Sequence, residues 1–167
     1  MTETELQWLI TTASTLGENR IVVEIGSYKG RSSVAIGRSL GRGSLLYCVD
    51  SWLGDPYDIE DLTNDLYSAW LDNVLCHAFA RPIAPIRQPS ARAATLFASA
   101  SIDWVFIDGS HLLEHVSRDI ALWAPKLRSG GIISGHDYVS DCPGVVKAVD
   151  EAFPGRAVED KIWWTRV

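Results

Sequence analysis

Apolar positions recur in two rhythms along this chain. Leu6, Leu9, Ala13 and Leu16 fall three or four apart, which predicts a helix stopped by Gly17. Residues 21–25 then form a short apolar run suited to a buried strand. The helical rhythm returns over 31–40 and ends at Gly41-Arg42-Gly43, and 45–49 predict a second strand closed by Asp50. Residues 51–61, with Gly54, Pro56 and four acids, read as a loop before a helix over 62–79. Residues 83–86 predict a third strand; Pro82, Pro85 and Pro89 around it make it short or an edge.

A helix is expected over 91–98 and a fourth strand over 104–107, ending at Asp108. Leu112, Val116, Ile120, Trp123 and Leu127 trace one helical face, and Gly130-Gly131 turns into a fifth strand over 132–134. A last helix covers 145–153, where Pro154-Gly155 breaks it, and 156–167 have room for two more strands. Trp8, Trp70, Trp104 and Trp123 read as core, and Trp163 and Trp164 should point to opposite faces of a final strand.

Strands alternating with helices predict an α/β fold with a parallel sheet covered on both faces. In such sheets ligands bind beyond the carboxyl ends of the strands, near the switch in strand order. That rule singles out Glu24 with Gly26, Asp50, Gln88, Asp108, and His136 with Asp137. At 167 residues, with no repeat or linker, the chain is expected to be a single domain.

Composition narrows the function classes. The formal net charge is −6, and pairs such as Arg38 with Arg42 or Arg87 with Arg92 are too sparse for a basic patch, so nucleic acid is not expected as a partner. Cys48, Cys76 and Cys142 form no CxxC pair, which argues against a disulfide framework or a structural zinc. The start carries Glu3 and Glu5 before a short apolar stretch, unlike a signal peptide, and no run is long enough to span a membrane. A cytoplasmic location is expected.

The chemistry concentrates at three places. In the turn Glu24-Ile-Gly26-Ser27-Tyr28-Lys29-Gly30, the lysine precedes the last glycine, and Arg31-Ser32 follows it, so the phosphate-loop pattern is not met. Tyr28 stands where a dinucleotide fingerprint needs its middle glycine. What remains is acid-x-Gly-x-x-x-Gly, followed by the acid Asp50 at the next strand end. Two further strand-end stretches, FIDGSH (106–111) and SGHDY (134–138), bring Asp108, His111, His136 and Asp137 together if their strands are neighbours. Two close carboxylates there could share a cation, with an imidazole beside them.

The glycine turn with Asp50 resembles the first two motifs of class I S-adenosylmethionine-dependent methyltransferases. The paired later stretches resemble the metal-dependent sugar O-methyltransferases of macrolide and aminocoumarin biosynthesis, distant relatives of catechol O-methyltransferase; the similarity runs over about 21–138. The resemblance implies a Rossmann-like, doubly wound, mostly parallel seven-stranded sheet whose last strand is antiparallel. It implies that S-adenosyl-L-methionine lies along Gly26, Ser27, Tyr28, Lys29 and Gly30, with Glu24 and Ser32 beside them, and that Asp50 takes both ribose hydroxyls. Ser51 would also touch the cofactor, Trp52 would face the adenine, and Gln88 and Ser90 would border its far side.

By position, the family's magnesium ligands correspond to Asp108, His136 and Asp137, and its base to His111. His136 stands where the family usually has an acid. Magnesium prefers oxygen, so either His136 does not ligate or the site takes a softer ion such as manganese, iron or zinc. The expected reaction is methyl transfer to a hydroxyl of a small acceptor, a sugar or natural product, with the cation Mg2+ or Mn2+, in a chain open to self-association. Cephalosporin hydroxylases share the resemblance, which leaves an iron-dependent oxygenase and a non-catalytic cofactor-binding module as alternatives.

Overall fold

The computed structural model describes residues 1–54, 64–78 and 82–167. The predicted loop over 51–61 beyond Gly54, and both ends of the predicted helix over 62–79, lie outside the described residues. The elements are α1 (Glu3–Thr15), β1 (Ile21–Ile25), α2 (Arg31–Ser39), β2 (Leu45–Asp50), α3 (Leu66–Ala78), β3 (Ile83–Arg87), α4 (Ser90–Ala93), β4 (Ile102–Ile107), α5 (Leu113–Trp123), β5 (Leu127–Gly135), α6 (Pro143–Ala152), β6 (Ala157–Glu159) and β7 (Ile162–Arg166). Among the described residues no helix is long and apolar enough to cross a membrane.

One seven-stranded sheet runs β3-β2-β1-β4-β5-β7-β6. Strands β1 to β5 pair in parallel, and β7 is antiparallel to β5 and to β6. The proline-bracketed β3 is an edge strand, as its missing N–H donors require. Strand order reverses between β1 and β4, so the carboxyl ends of these two strands flank the switch point.

Alternation along each strand divides the core into two layers. Val22, Leu46, Trp104, Phe106 and Ile132 pack against Leu9 and Ala13 of α1, Ile36 of α2 and Trp70 and Val74 of α3. Val23, Ile25, Val105, Ile107 and Ile133 face Val116, Ile120 and Trp123 of α5 and Val145 and Val149 of α6. The central strands β1, β2 and β4 are apolar but for one acid each, because both of their faces are covered. Trp163 stacks on Phe153 while Trp164 meets Trp8 on the opposite face, as the period of two predicts.

Three elements differ from expectation. The helix predicted to reach Leu127 stops at Trp123, because Pro125 removes an N–H donor and leaves one 3-10 turn over Ala124–Lys126. Strand β5 begins at Leu127, and Gly130-Gly131 lie inside it, where its register against β4 shifts between Ile102 and Trp104. The helix expected over 91–98 is shorter: α4 passes into a 3-10 turn over Ala94–Leu96, and the extended Phe97 packs on Tyr47 and Trp123.

At the amino end of β4, away from the switch point, Asp103 accepts from Arg20 (3.1 Å) and from the Ile21 amide (2.8 Å). Arg128 closes the same carboxylate at 3.2 Å. This ion cluster joins three strand starts, so that edge of the sheet is built for anchoring.

Candidate active site

At the switch-point edge, backbone hydrogen bonds align the strand ends. Gly26 N donates to Val49 O (2.9 Å), Asp108 N to Ile25 O (2.8 Å) and His136 N to Ile107 O (3.0 Å). Parallel pairing therefore places the residue after each strand side by side, and the predicted residues converge here because they follow β1, β2, β4 and β5.

The glycine turn is held open by two left-handed glycines, Gly26 (φ +85°) and Gly30 (φ +87°). A Cβ on Gly26 would lie 2.2 Å from the Asp108 carbonyl oxygen, and one on Gly30 would lie 3.0 Å from the Trp70 ring. These glycines thus admit another strand end and an indole. Tyr28, between them, also has a positive φ of 45°, a conformation that costs a side-chain-bearing residue about 1–3 kcal/mol and concentrates at ligand sites. Gly30 caps α2 without a side-chain cap, so the amides of that first turn depend on other acceptors.

Asp50 pins the turn from the next strand. Its Oδ2 accepts from the Tyr28 amide (2.9 Å) and its Oδ1 from the Trp52 amide (2.7 Å). Each oxygen keeps a lone pair, enough for a vicinal diol. Ser51 lies beside it and faces back, its hydroxyl 3.4 Å from the Leu53 amide.

Glu24 is fully buried under the turn. Ser33 Oγ donates to it, and Trp70 Nε1 donates in turn to Ser33 (3.1 Å), which ties β1 to α2 and α3. Burial pushes the Glu24 carboxyl above its usual range, while Ser32, Ser33, Ser27 and Cys48 around it pull it back. Glu24 Oε1 and Ser27 Oγ are both buried without a well-formed hydrogen bond among the described residues. They are the acceptor capacity still open below the turn.

Three predicted residues take up other positions. Trp52 is only 4% exposed; its indole donates to Tyr28 O (2.8 Å) and packs on Tyr67 and Trp70, so it braces the turn and shows no open face to an adenine. Ser90 accepts from Trp123 Nε1 (2.8 Å) and supports the buried Asp119, which commits its hydroxyl to α5. Glu24 is enclosed, so it bears on a ligand only through the turn that it holds. Gln88, by contrast, stands half-buried just past β3.

The second group lies at the ends of β4 and β5. His136 Nδ1 is 3.0 Å from Asp137 Oδ1 and 3.6 Å from Asp108 Oδ1. One ligand atom from each of the three lies within 4.8 Å of the others, a spacing that one cation can close. Burial raises the Asp108 carboxyl to about 7, with His136 opposing and Asp137 adding to the rise. Burial pulls His136 down, but the Asp137 hydrogen bond and the Asp108 and Asp137 charges outweigh it and raise the imidazole to about 9. Hydrogen bonding to His136 lowers Asp137, whose backbone is left-handed at φ 59°.

His111 is 57% exposed, and its Nε2 lies 2.8 Å from Asp137 Oδ2. His115 turns instead to Ser110 (2.9 Å). Cys142 joins His111 and Asp137 in a second cluster of ligating atoms, which the wide sequence spacing concealed. The other residue missed is Glu5, 1% exposed on α1, whose Oε2 is 3.1 Å from His136 Nε2. Its signal was an acid in register with Leu9 and Ala13 on the buried face of α1.

Comparison with known proteins places this geometry. Residues 23–138 match the family described as a methyltransferase domain. No curated protein matches the sequence significantly. Similar solved structures include cofactor-bound Rv0187 from MTB (TM-score 0.77, 17% identity, covering 100% of this chain and 81% of that one). The O-methyltransferase TomG from Streptomyces achromogenes, involved in tomaymycin synthesis and solved with SAM, is similar at TM-score 0.76 and 14% identity over 100% and 81%. The O-methyltransferase from Bacillus cereus in complex with SAH is similar at TM-score 0.73 and 14% identity over 100% and 82%. At these identities the likeness is one of fold.

Proposed function

The chain belongs to the methyltransferase-domain family, and on that footing we propose that it transfers a methyl group from S-adenosyl-L-methionine to a hydroxyl of a small molecule, a sugar or natural product, assisted by a divalent cation. One observation carries this reading: the donor turn and the acid–histidine cluster meet at a single point. The space that a Gly26 side chain would fill is taken by the Asp108 carbonyl, so a donor on the turn lies beside whatever Asp108, His136 and Asp137 hold.

The residues suit these groups. Asp50 offers two oxygens, already oriented by the Tyr28 and Trp52 amides, to a pair of ribose hydroxyls. Glu24, enclosed beneath Gly26–Gly30, holds the turn along which the donor would lie. Asp108, His136 and Asp137 present two oxygens and one nitrogen, a donor set better matched to Mn2+, Fe2+ or Zn2+ than to Mg2+. Bound there, the donor would supply an activated methyl group and the cation would lower the pKa of an acceptor hydroxyl.

His111 is the base in this scheme. Its Nε2–H donates to Asp137 Oδ2, which leaves Nδ1 with the lone pair that takes the acceptor's proton. Asp137 thereby orients both histidines, one through each oxygen. Holding donor and acceptor in line is the chain's larger contribution, where effective molarity is worth about 7–11 kcal/mol. The net charge of −6 favours a small neutral acceptor over nucleic acid.

A thermal-shift panel tests the reading, using adenosylmethionine, adenosylhomocysteine and NAD, each with and without Mg2+ or Mn2+. At one hundred times its dissociation constant a ligand adds about 2.7 kcal/mol, a shift of several degrees in a domain of this size. Both adenosyl compounds should shift the transition, and NAD should not. A shift with NAD alone refutes the methyltransferase reading, and adenosyl shifts followed by no turnover of any hydroxyl acceptor with Mn2+ present leave only a binding module.

A further inference from the structure

The His136 ring is gripped from behind. Its Nδ1 faces the Asp137 and Asp108 carboxylates at 3.0 and 3.6 Å, while its Nε2 points away from them into the protein, 3.1 Å from Glu5 Oε2. His136 is 8% exposed and Glu5 1% exposed; the contact is an ion pair by distance, and Nε2 makes no well-formed hydrogen bond among the described residues. Glu5 is in turn fixed by α1: its Oε2 accepts from the Thr2 amide (2.5 Å), and Thr2 Oγ1 accepts from the Glu5 amide (3.2 Å), a reciprocal capping box. A helix start therefore holds a buried carboxylate against a histidine at the far end of β5.

We propose that Glu5 is a positioning residue for the cation site: it keeps the His136 proton on Nε2, leaves the Nδ1 lone pair facing Asp108 and Asp137, and thereby tunes the site toward Mn2+, Fe2+ or Zn2+ over Mg2+. The inference rests on the cation reading above and adds the residue that makes it specific. A ligating imidazole that gives its second N–H to a carboxylate is fixed in tautomer and made more basic, and losing that outer partner typically weakens metal binding 10–100-fold. A capping box needs no contact with His136, since the Thr2 and Glu5 side chains each accept from the other's backbone amide. The Glu5 side chain performs both tasks through one oxygen, and its Oε1 has no hydrogen bond of its own.

The test is equilibrium titration of the chelator-treated full chain with Mn2+, Zn2+ and Mg2+, reading free metal directly or by competition with a chromophoric chelator. Wild type should bind Mn2+ and Zn2+ at least tenfold tighter than Mg2+. Glu5→Gln keeps the cap, since glutamine serves at that position, and should weaken Mn2+ and Zn2+ 10–100-fold. Thr2→Ala removes the cap and should lower stability without moving metal affinity. Unchanged affinity in Glu5→Gln, or a wild-type preference for Mg2+, overturns the role of Glu5 while leaving a cation site in place. Wild type that binds none of the three overturns both this inference and the cation reading. Should Glu5→Gln fail to fold, 15N-edited imidazole spectra of Zn2+-loaded wild type decide: metal on Nδ1 with a proton on Nε2 supports the inference, and the reverse tautomer overturns it.

Discussion

Gly26→Ala should damage the fold and both halves of the site together. The added methyl would start 2.2 Å from the Asp108 carbonyl oxygen, 2.6 Å from its carbon and 2.7 Å from Gly109 Cα, where ordinary contact begins at 3.4 Å. All three are backbone atoms, so relief requires β1 and β4 ends to part by more than an ångström. Two costs add. A left-handed residue with a Cβ costs about 1–2 kcal/mol, and Gly26 sits at φ +85°. Overpacking against a rigid neighbour costs about 1–3 kcal/mol more. Together they approach ~2–5 kcal/mol, a large part of the ~5–15 kcal/mol that holds a domain folded. With a urea slope of ~1–3 kcal/mol per molar, the midpoint should fall by at least ~0.7 M. Any cofactor affinity should fall with it, because the Asp108 peptide must move. Gly155→Ala is the control: among the described residues no atom beyond its chain neighbours lies within 4 Å of its Cβ position, so the change should stay within ~0.5 kcal/mol. A Gly26→Ala midpoint matching that of Gly155→Ala would refute the claim that this glycine exists to admit β4.

Other perturbations separate the parts of the site. Asp50→Asn should lower adenosylhomocysteine affinity at least tenfold by calorimetry, since each charge-assisted hydrogen bond lost is worth ~1.5–3 kcal/mol; unchanged affinity would move the ribose elsewhere. His111→Ala should leave adenosyl binding intact and cut turnover by about 10²–10⁴, and surviving turnover would show that another group is the base. In chelator-treated protein, the His136 imidazole is raised from 6.5 to about 9, so its contribution to stability is complete below about 6.5 and fades as pH rises through 9. The urea midpoint of wild type should therefore converge on that of His136→Gln as pH goes from 6 to 10; a constant gap would refute the charged pairing. Ser33→Ala should destabilise the fold by about 1–3 kcal/mol in denaturant titrations, because it strands the buried Glu24 carboxylate and the Trp70 indole.

Much of this was legible because it is short-ranged. Apolar runs and helical spacing located five strands and left room for two more in 156–167, and prolines 82, 85 and 89 marked β3 as short or an edge. Residues at or just past a strand's carboxyl end share the sheet's edge by construction, so pattern alone placed Asp50, Asp108, His136 and Asp137 there. Pattern was silent where a side chain also serves the core. Trp52 and Ser90 occupy the positions expected of cofactor contacts, yet one supports Tyr28 and the other bonds Trp123.

The sequence by itself determined the α/β order, the glycine turn with its excluded phosphate readings, and the strand-end acids, since each depends on neighbours a few residues apart. Only the tertiary structure decided that Gly26 makes room for Asp108, and that Asp137 bridges two histidines. It also decided that Glu5 stands behind His136. These are contacts between distant segments, set by strand order and helix packing. No local periodicity encodes them, because the same amphipathic helix buries an acid as readily as it caps itself with one until a partner is placed beside it.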